Sequence, residues 1–552
     1  MKKQKVLKSA LSFLLALALA LTVSPAAITA NAVTTTAEIK TIADVPADLS
    51  GKTIILHSND VHGAIGRYAY IASVKQNLQE RGAEVILVDA GDFSQGTPYV
   101  STTKGLDAIT SMNAAGYDIV TLGNHEFDYG YTQLKANLAV AKFTAVCADV
   151  LDANGNPILA PNTTYTTKSG MKIGFFGMET PETQTKVNPG LIQGLTFLSK
   201  KDLYSCAQTQ VDTLKGQGVD LVVCLSHLGV DDESAADGHR SVDLYKNTKG
   251  IDLLIDGHSH TVMSAEKGFD PVTSTGTKVQ TIGVVVLDNE TKKIEDSYLL
   301  SLDGLQKEVI TDAVTNAIIK RVDNEYGVVF ATSEVNLNGA KEPGNRTEET
   351  NLGDLITDAM LWSVQKTSGS ITVAPDHVVA ITNGGGIRAA INAGAVTKND
   401  INTVLPFGNT VSVVYVTGAE LLEALEASTY CTPKAIGGYP QTAGIKFTLD
   451  TSKPFAQGAA YPASTYYKPA SIRRVTIDSI NGQPFSMTDT YAVVTNNFCA
   501  AGGDTYYVFK NASSQFDTGI PLDEAVIDYV VTELHGTIGS KYATPRGDQT
   551  IK

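Results

Sequence analysis

The chain has 552 residues, 43% of them hydrophobic and 18% charged, and a formal net charge of −15 at pH 7. This length exceeds what one hydrophobic core organises, so we expect two or three domains. The acidic balance disfavours nucleic-acid polymers and anionic membranes as partners. The five cysteines lack C-x-x-C spacing, which excludes the usual pattern of a zinc ribbon or a disulfide-rich fold.

Residues 1–32 have the pattern of a secretory signal peptide. Four lysines precede the apolar run at 10–23, and Ala30-Asn31-Ala32 offers small residues for cleavage after Ala32. A retained membrane anchor is the alternative, but a membrane-spanning helix needs roughly 20 apolar residues. We therefore expect a secreted, extracellular protein with no membrane insertion after signal removal. Taking the four lysines from the 43 basic residues leaves 39 against 58 acidic ones, so any bound phosphate needs local positive charge.

Short apolar strands then alternate with helices, which predicts a layered α/β domain at 51–304. Residues 33–50, rich in Thr and Ala, are interpreted as a spacer. Strands are predicted at 53–58, 85–89, 117–122, 172–178, 221–225 and 251–255, with helices near 70–81 and 105–115.

A long amphipathic helix is predicted between Leu305 and Tyr326, because Val309, Ala313 and Ile318 recur at helical spacing. We interpret residues 305–330 as a linker helix. The second α/β domain at 331–552 is expected to begin with a helix at 352–364, followed by a strand at 378–382 and a glycine turn at 383–386.

One hexapeptide in the first domain combines groups that bind metals or move protons. Gly123-Asn124-His125-Glu126-Phe127-Asp128 directly follows the predicted strand at 117–122. We expect the glycine to let the chain turn sharply as it leaves the sheet. The ordinary alternative is that the Asn-His pair only caps the next helix.

Four further strand ends carry similar groups, and each alone has an ordinary explanation such as a cap or a turn. Because the carboxyl ends of neighbouring parallel strands meet at one edge, together they predict one metal site. Seven nitrogen and oxygen ligands suit two divalent ions that share a carboxylate, and Zn, Mn, Fe and Co all fit. The candidate ligands are Asp60, His62, Asp92, Asn124, His227, His258 and His260. Strand alternation directs His57 away from this edge, so it is interpreted, with His239, His377 and His535, as structural or surface.

The motifs at 56–63, 123–128 and 257–260 resemble the metallophosphoesterase domain of the 5'-nucleotidase, UDP-sugar hydrolase and 2',3'-cyclic-nucleotide phosphodiesterase family. The resemblance implies a layered α/β/β/α sandwich joined by the linker helix to a nucleotide-specificity domain. It further implies that His125 and Asp128 form a dyad that stabilises charge at the reacting phosphoryl group and its leaving oxygen. By the same resemblance, one metal would be held by Asp60, His62 and His260, the other by Asn124, His227 and His258, with Asp92 between them. Some family members carry Gln at the position of His260.

The second half also resembles this family, at 345–353, 383–388, 405–408 and 497–504. The resemblance implies that Arg346 and Arg388, near Asn383, bind phosphate or ribose, and that Asp504 takes the ribose hydroxyls. It also implies that Phe407 and Phe498 sandwich the base. Arginine binds phosphate through two hydrogen bonds, and aromatic rings stack on any base. The ordinary alternative is that a Phe beside Pro or Gly is a core residue.

The leading hypothesis is a secreted dinuclear-metal phosphohydrolase that acts on extracellular nucleotides, most simply a 5'-nucleotidase. A cyclic-nucleotide phosphodiesterase with 3'-nucleotidase action, or a UDP-sugar hydrolase, would use the same metal core. A sulfur-compound hydrolase and a non-catalytic nucleotide-binding module are more remote alternatives. We expect a monomer or weak dimer, with an active site between the domains that forms by closure about the linker.

Overall fold

Buried runs of branched aliphatic residues form two sheets in the first half of the chain. This computed structural model describes residues 37–231, 238–265, 271–365, 371–462 and 464–552, so the expected signal peptide lies outside the described residues. The seven-stranded sheet has the order Ile39–Lys40, Lys293–Ser301, Thr281–Asp288, Lys52–Ser58, Glu84–Asp89, Ile119–Val120, Thr144–Ala145. The six-stranded sheet has the order Val262–Met263, Val272–Thr275, Leu253–Ile255, Leu221–His227, Lys172–Glu179, Asn162–Thr166. Val150–Leu151 and Thr196–Phe197 form a small ribbon.

The two sheets stack face to face, and helices cover their outer faces. Alternate residues of Lys52–Ser58 point in opposite directions, so Ile55 packs between the sheets and Leu56 packs under the helices. The helices of this half are Tyr68–Glu80, Pro98–Ser101, Leu106–Ala115, Tyr131–Leu138, Thr183–Lys186, Lys200–Gly216, Ser241–Asn247 and Val309–Tyr326. The layered α/β/β/α architecture expected from the sequence is confirmed.

The central strands of both sheets are parallel and end at the same edge. Lys52–Ser58 pairs in parallel with Glu84–Asp89, and Lys172–Glu179 pairs in parallel with Leu221–His227. The chain therefore leaves these strands toward one patch, as the distribution of polar motifs predicted.

The described part of the expected spacer belongs to the fold, which differs from the interpretation of 33–50. Ile39–Lys40 pairs in parallel with the strand Lys293–Ser301, and Val45 and Leu49 are buried in the first core. The few apolar residues in a polar stretch were enough to attach it, because an edge strand needs only backbone partners on one side.

The linker helix exists, but its buried face differs from the predicted one. The helix Val309–Tyr326 begins after Glu308, whose side chain accepts hydrogen bonds from the backbone of Ile310 and Thr311. Val309 is 79% exposed. The buried residues are Thr311, Thr315, Ile318 and Val322. Two of these residues are threonines, and the Thr311 hydroxyl donates to the carbonyl of Ala114. A prediction from the spacing of apolar residues does not count threonine, so it missed this face.

The second half is built on a five-stranded sheet with helices on both faces. Its order is Pro440–Ala443, Val378–Asn383, Thr490–Asn496, Thr410–Thr417, Ser514–Pro521. Two three-stranded sheets flank it: Gly394–Thr397, Val329–Ser333, Thr537–Ile538, and Val475–Ile480, Ile445–Leu449, Gln549–Ile551. A ribbon joins Gln457–Ala460 to Tyr467–Pro469, and the helices are Asn351–Gln365, Lys398–Val404, Gly418–Ser428, Asn497–Ala500, Tyr507–Lys510 and Leu522–Thr532.

The described residues of both halves pack as one compact unit. The helix Lys398–Val404 of the second half contacts the helices Pro98–Ser101 and Val309–Tyr326 of the first. Within the described residues, we find no helix with the length and apolar character needed to cross a bilayer.

Candidate active site

Five metal-ligand candidates converge at the shared edge of the two sheets. Ligand atoms of Asp60, His62 and His260 lie within 4.8 Å of one another, as do those of Asp60, Asp92 and His227. All except the half-buried His260 are buried. The ends of neighbouring strands therefore bring together residues that lie far apart along the chain.

One cluster is centred on His62. Its Nε2 atom lies 3.0 Å from Nε2 of His260, 3.7 Å from Oδ1 of Asp60 and 3.6 Å from Oδ2 of Asp92. The Nδ1 atom of His62 lies 3.2 Å from the carbonyl oxygen of Gln95, to which it donates. Because this hydrogen bond places the ring proton on Nδ1, the Nε2 lone pair points into the cluster.

The second cluster lies on the other side of Asp92. The Nε2 atom of His227 is 3.1 Å from Oδ2 of Asp92, while its Nδ1 donates to the carbonyl of Ala90 at 2.6 Å. His227 Nε2 is buried without a hydrogen-bond partner among the described residues. Nδ1 of His258 lies 2.9 Å from Oδ1 of Asn124. Unprotonated imidazole nitrogens and carboxylate or amide oxygens, with no thiolate, fit divalent ions such as Zn, Mn, Fe or Co.

The backbone is unusual at these residues. A positive φ is uncommon outside glycine and marks positions that the surrounding structure constrains. Six of the predicted site residues have it: Asp60 (50°), His62 (45°), Asp92 (63°), His258 (73°), His260 (56°) and Asp504 (48°). Five of these residues lie in turns that follow strands, whereas Asp504 follows the helix Asn497–Ala500, and each turn aims its side chain at a cost in local conformation.

Gly123 has a different role from the expected sharp turn. Its φ of −114° is an extended conformation that any residue adopts. A Cβ atom there would lie 2.8 Å from Cε1 of His227 and would overlap Asp92. Glycine is needed at this position because the metal-ligand candidates pack against its backbone.

His125 and Asp128 form the expected pair. Nδ1 of His125 donates to Oδ2 of Asp128 at 2.7 Å, which leaves Nε2 3.9 Å from Oδ2 of Asp92. Burial lowers the pKa of His125, but the carboxylates of Asp128 and Asp92 outweigh it and raise the pKa above its usual range. The protonated ring is thereby favoured beside the metal-ligand candidates.

A cavity of about 510 Å³ joins this cluster to the second half of the chain. Among the predicted site residues, its lining includes Asp92, Asn124, His125, Asp128, His258 and His260 from the first half. From the second half it includes Arg346, Asn383, Arg388, Phe407, Phe498 and Asp504. Both groups of predicted residues therefore face the same space.

The sequence matches two family descriptions, calcineurin-like phosphoesterase at residues 53–262 and 5'-nucleotidase, C-terminal domain at residues 328–511. It is 28% identical to the snake venom 5'-nucleotidase of Naja atra over 86% of this chain and 95% of that protein. The crystal structure of a 5'-nucleotidase precursor from Thermus thermophilus superposes with a TM-score of 0.74 at 28% identity, covering 91% of this chain and 99% of that one. The chain belongs to the 5'-nucleotidase family.

The trifunctional nucleotide phosphoesterase protein YfkN of Bacillus subtilis is 31% identical over 92% of this chain. The match spans only 35% of the length of YfkN. As a member of the 5'-nucleotidase family with a calcineurin-like phosphoesterase domain, the protein is a metal-dependent phosphoric ester hydrolase.

In this family member, the second half approaches the dyad through Phe407 and Arg388. The ring centroids of Phe407 and His125 are 5.6 Å apart, and the Arg388 guanidinium carbon lies 5.7 Å from the Phe407 ring centroid. Burial, together with neighbouring Arg346, lowers the pKa of Arg388 to about 10, so the guanidinium stays charged at neutral pH.

The remaining substrate candidates are more deeply buried. Asn383 donates to Oδ2 of Asp504 at 2.8 Å. Phe498 is 8% exposed and belongs to a hydrophobic core, although it also lines the cavity. Phe498 is therefore part of a core and also faces the cavity.

The histidines set aside from the site lie elsewhere. His57 is fully buried 3.2 Å from the Thr273 hydroxyl, and burial lowers its pKa to about 3. His377 is paired with Asp376 near the surface, His535 is exposed and His239 is buried. His57 points between the sheets; strand alternation had predicted that it lies away from the metal-ligand candidates.

Sequence reasoning missed two acidic residues that support the cluster. Oε2 of Glu182 lies 3.1 Å from Nε2 of His258, so the carboxylate accepts a hydrogen bond from the Nε2–H group. The unprotonated Nδ1 atom of His258 then faces Asn124. Glu126 accepts hydrogen bonds from the backbone N–H groups of Asp92 and Gly123, and burial raises its pKa to about 7. Glu182 follows the predicted strand at 172–178, so the same strand-end rule would have found it.

Proposed function

We propose that the protein is a secreted 5'-nucleotidase that uses two divalent metal ions. The observation that supports this proposal is the shared cavity, which is lined by the dyad, metal-ligand candidates and the predicted nucleotide-binding residues together. A general phosphatase needs the first two groups, whereas the aromatic and carboxylate groups of the second half suit a nucleoside.

Each part of a nucleoside monophosphate has a matching group in the cavity. The charged guanidinium of Arg388, beside Arg346, holds the phosphoryl oxygens. The divalent ions, when bound, supply Lewis acidity and a nucleophilic water for displacement at phosphorus. His125, oriented by Asp128, donates a proton from Nε2 toward the phosphoryl group and the leaving 5' oxygen. Phe407 and Phe498 hold the base, and Asp504 accepts hydrogen bonds from the ribose hydroxyls.

The pattern of residues 1–32 supports export, and the relatives include a protein named for its presence in snake venom. Mass spectrometry of the mature protein is expected to give an N-terminus at Val33. An N-terminus at Met1 on protein recovered outside the cell would contradict cleavage after Ala32.

The activity is tested by phosphate release from the metal-stripped protein resupplied with Zn, Mn, Co or Mg. We expect metal-dependent release from AMP, with slower release from 3'-AMP, 2',3'-cyclic AMP and UDP-glucose. Preference for 2',3'-cyclic AMP or UDP-glucose would instead favour the phosphodiesterase or sugar-hydrolase alternatives. Tight nucleotide binding without release from any substrate would indicate a non-catalytic module.

A further inference from the structure

The short segment around Lys186 carries contacts from the first half of the chain to cavity-lining residues of the second half. Nζ of Lys186 lies 3.5 Å from Oδ1 of Asp504 and donates to the hydroxyl of Tyr466 at 2.8 Å. The backbone N–H of Asp504 donates to the carbonyl of Thr185 at 2.7 Å. Asp504 is therefore bound by the first half through both its side chain and its backbone.

The Lys186–Asp504 pair is largely buried. The side chain of Lys186 is 13% exposed and that of Asp504 is 3% exposed. The other oxygen of Asp504 accepts a hydrogen bond from Asn383 at 2.8 Å. Removing one partner of a buried charge pair leaves an uncompensated charge, so Lys186 contributes strongly to the placement of this carboxylate.

Gly437 leaves space beside the pair. A Cβ atom at Gly437 would lie 3.1 Å from Oδ1 of Asp504 and 3.3 Å from Nζ of Lys186. Gly437, Lys186 and Asp504 all line the cavity. A ligand hydroxyl that enters there can donate to the Asp504 carboxylate while Lys186 stays beside it.

The same segment also contacts one of the metal-ligand candidates. Glu182 accepts a hydrogen bond from His258, and the helix Thr183–Lys186 follows immediately. One short helix thus separates the contact with the candidate ligand His258 from the contact with Asp504.

We propose that Lys186 is a positioning residue for the nucleoside, which holds the Asp504 carboxylate across the interface between the two halves and so sets the affinity for the ribose. The proposal rests on the proposed function, because it requires a nucleoside in the cavity. Lys186 acts through Asp504 and takes no part in displacement at phosphorus.

Adenosine binding to the full-length protein, measured by calorimetry, tests the proposal without relying on turnover. In K186M, the Kd for adenosine and the KM for AMP are expected to rise about tenfold, with a smaller change in kcat. The KM for p-nitrophenyl phosphate, which has no ribose, is expected to rise much less. K186R keeps the charge and should retain most of the affinity, and K201M, at an exposed lysine of the same half, is the matched control.

Y466F and G437A keep the test informative if K186M folds poorly. Y466F removes one acceptor of Lys186, and G437A fills the space beside the pair, so both should weaken adenosine binding. Wild-type adenosine affinity in folded K186M and G437A would overturn the role of Lys186 while leaving the nucleotidase proposal intact. A wild-type protein that neither binds adenosine nor hydrolyses AMP would overturn both.

Discussion

Nε2 of His227 lies 3.1 Å from Oδ2 of Asp92, deep in the protein, and makes no hydrogen bond within the described residues. A buried nitrogen lone pair that faces a carboxylate is poorly satisfied by protein groups alone. A divalent ion between the two atoms would satisfy both.

Metal removal is therefore expected to lower the melting temperature of the protein. A ligand present at 100 times its Kd stabilises the folded state by about 2.7 kcal/mol. Adding Mn or Zn after chelation should therefore restore the melting temperature. Calorimetry on H227A should show most of this response lost, while H535A, at an exposed histidine, should keep it. A melting temperature that changes neither on chelation nor on resupply of the metal would contradict metal binding at this cluster.

Substitution of His125 by Ala is expected to lower kcat by about 10²- to 10⁴-fold, because the residue would donate a proton in the transition state. D128N should also lower kcat, since the amide no longer favours the protonated ring. Folding should change little, as judged by the melting temperature. H377A removes a histidine outside the cavity and serves as the control; equal turnover in H125A and H377A would refute the dyad assignment.

The two phenylalanines should separate affinity from stability. F407A is expected to weaken AMP binding by about 1–3 kcal/mol, the usual worth of a base stacked on an aromatic ring, with little loss of stability. F498A should weaken AMP binding and also destabilise the fold by about 3–5 kcal/mol, because Phe498 belongs to a core. Chemical denaturation and AMP titration of both variants check this. Unchanged AMP affinity in F407A would leave Phe407 without a base-stacking role.

Glu182 is expected to tune metal affinity through His258. Loss of a carboxylate that orients a ligand histidine typically costs about 10- to 100-fold in metal affinity. E182Q should show this loss in competition with a metal-binding dye, a measurement that needs no substrate. E290Q changes an exposed carboxylate and should bind metal as the wild type does. Equal affinity in both variants would limit Glu182 to a packing role.

Domain closure can be tested at the interface itself. The hydroxyl oxygens of Thr185 and Thr465, one in each half of the chain, are 3.3 Å apart. A disulfide in T185C/T465C is expected to hold this arrangement, block exchange of substrate and product, and stop multiple turnover until a reductant is added. The single variants and the oxidised wild type, which has five free thiols, are the controls. Full turnover in the cross-linked protein would exclude an obligatory opening motion.

The sequence alone determined the layered α/β architecture of the first half and the edge at which its polar motifs meet. This prediction succeeded because each apolar strand can be recognised from its local sequence, and neighbouring parallel strands end at a common edge. The position of each motif directly after a strand was therefore enough to predict that the motifs meet. It also directed His57 away from this edge, since alternation along a strand is a local property.

Only the tertiary structure decided which face of Val309–Tyr326 is buried, that Ile39–Lys40 joins the first sheet, and that Gly123 is needed for space rather than for a turn. It also revealed the contacts of Glu182 and Lys186. These features depend on the packing of segments distant in sequence, and no local pattern encodes which side chains such segments bring together. The sequence therefore located the candidate metal-binding and catalytic residues, and packing between the two halves decided how a substrate would be held beside them.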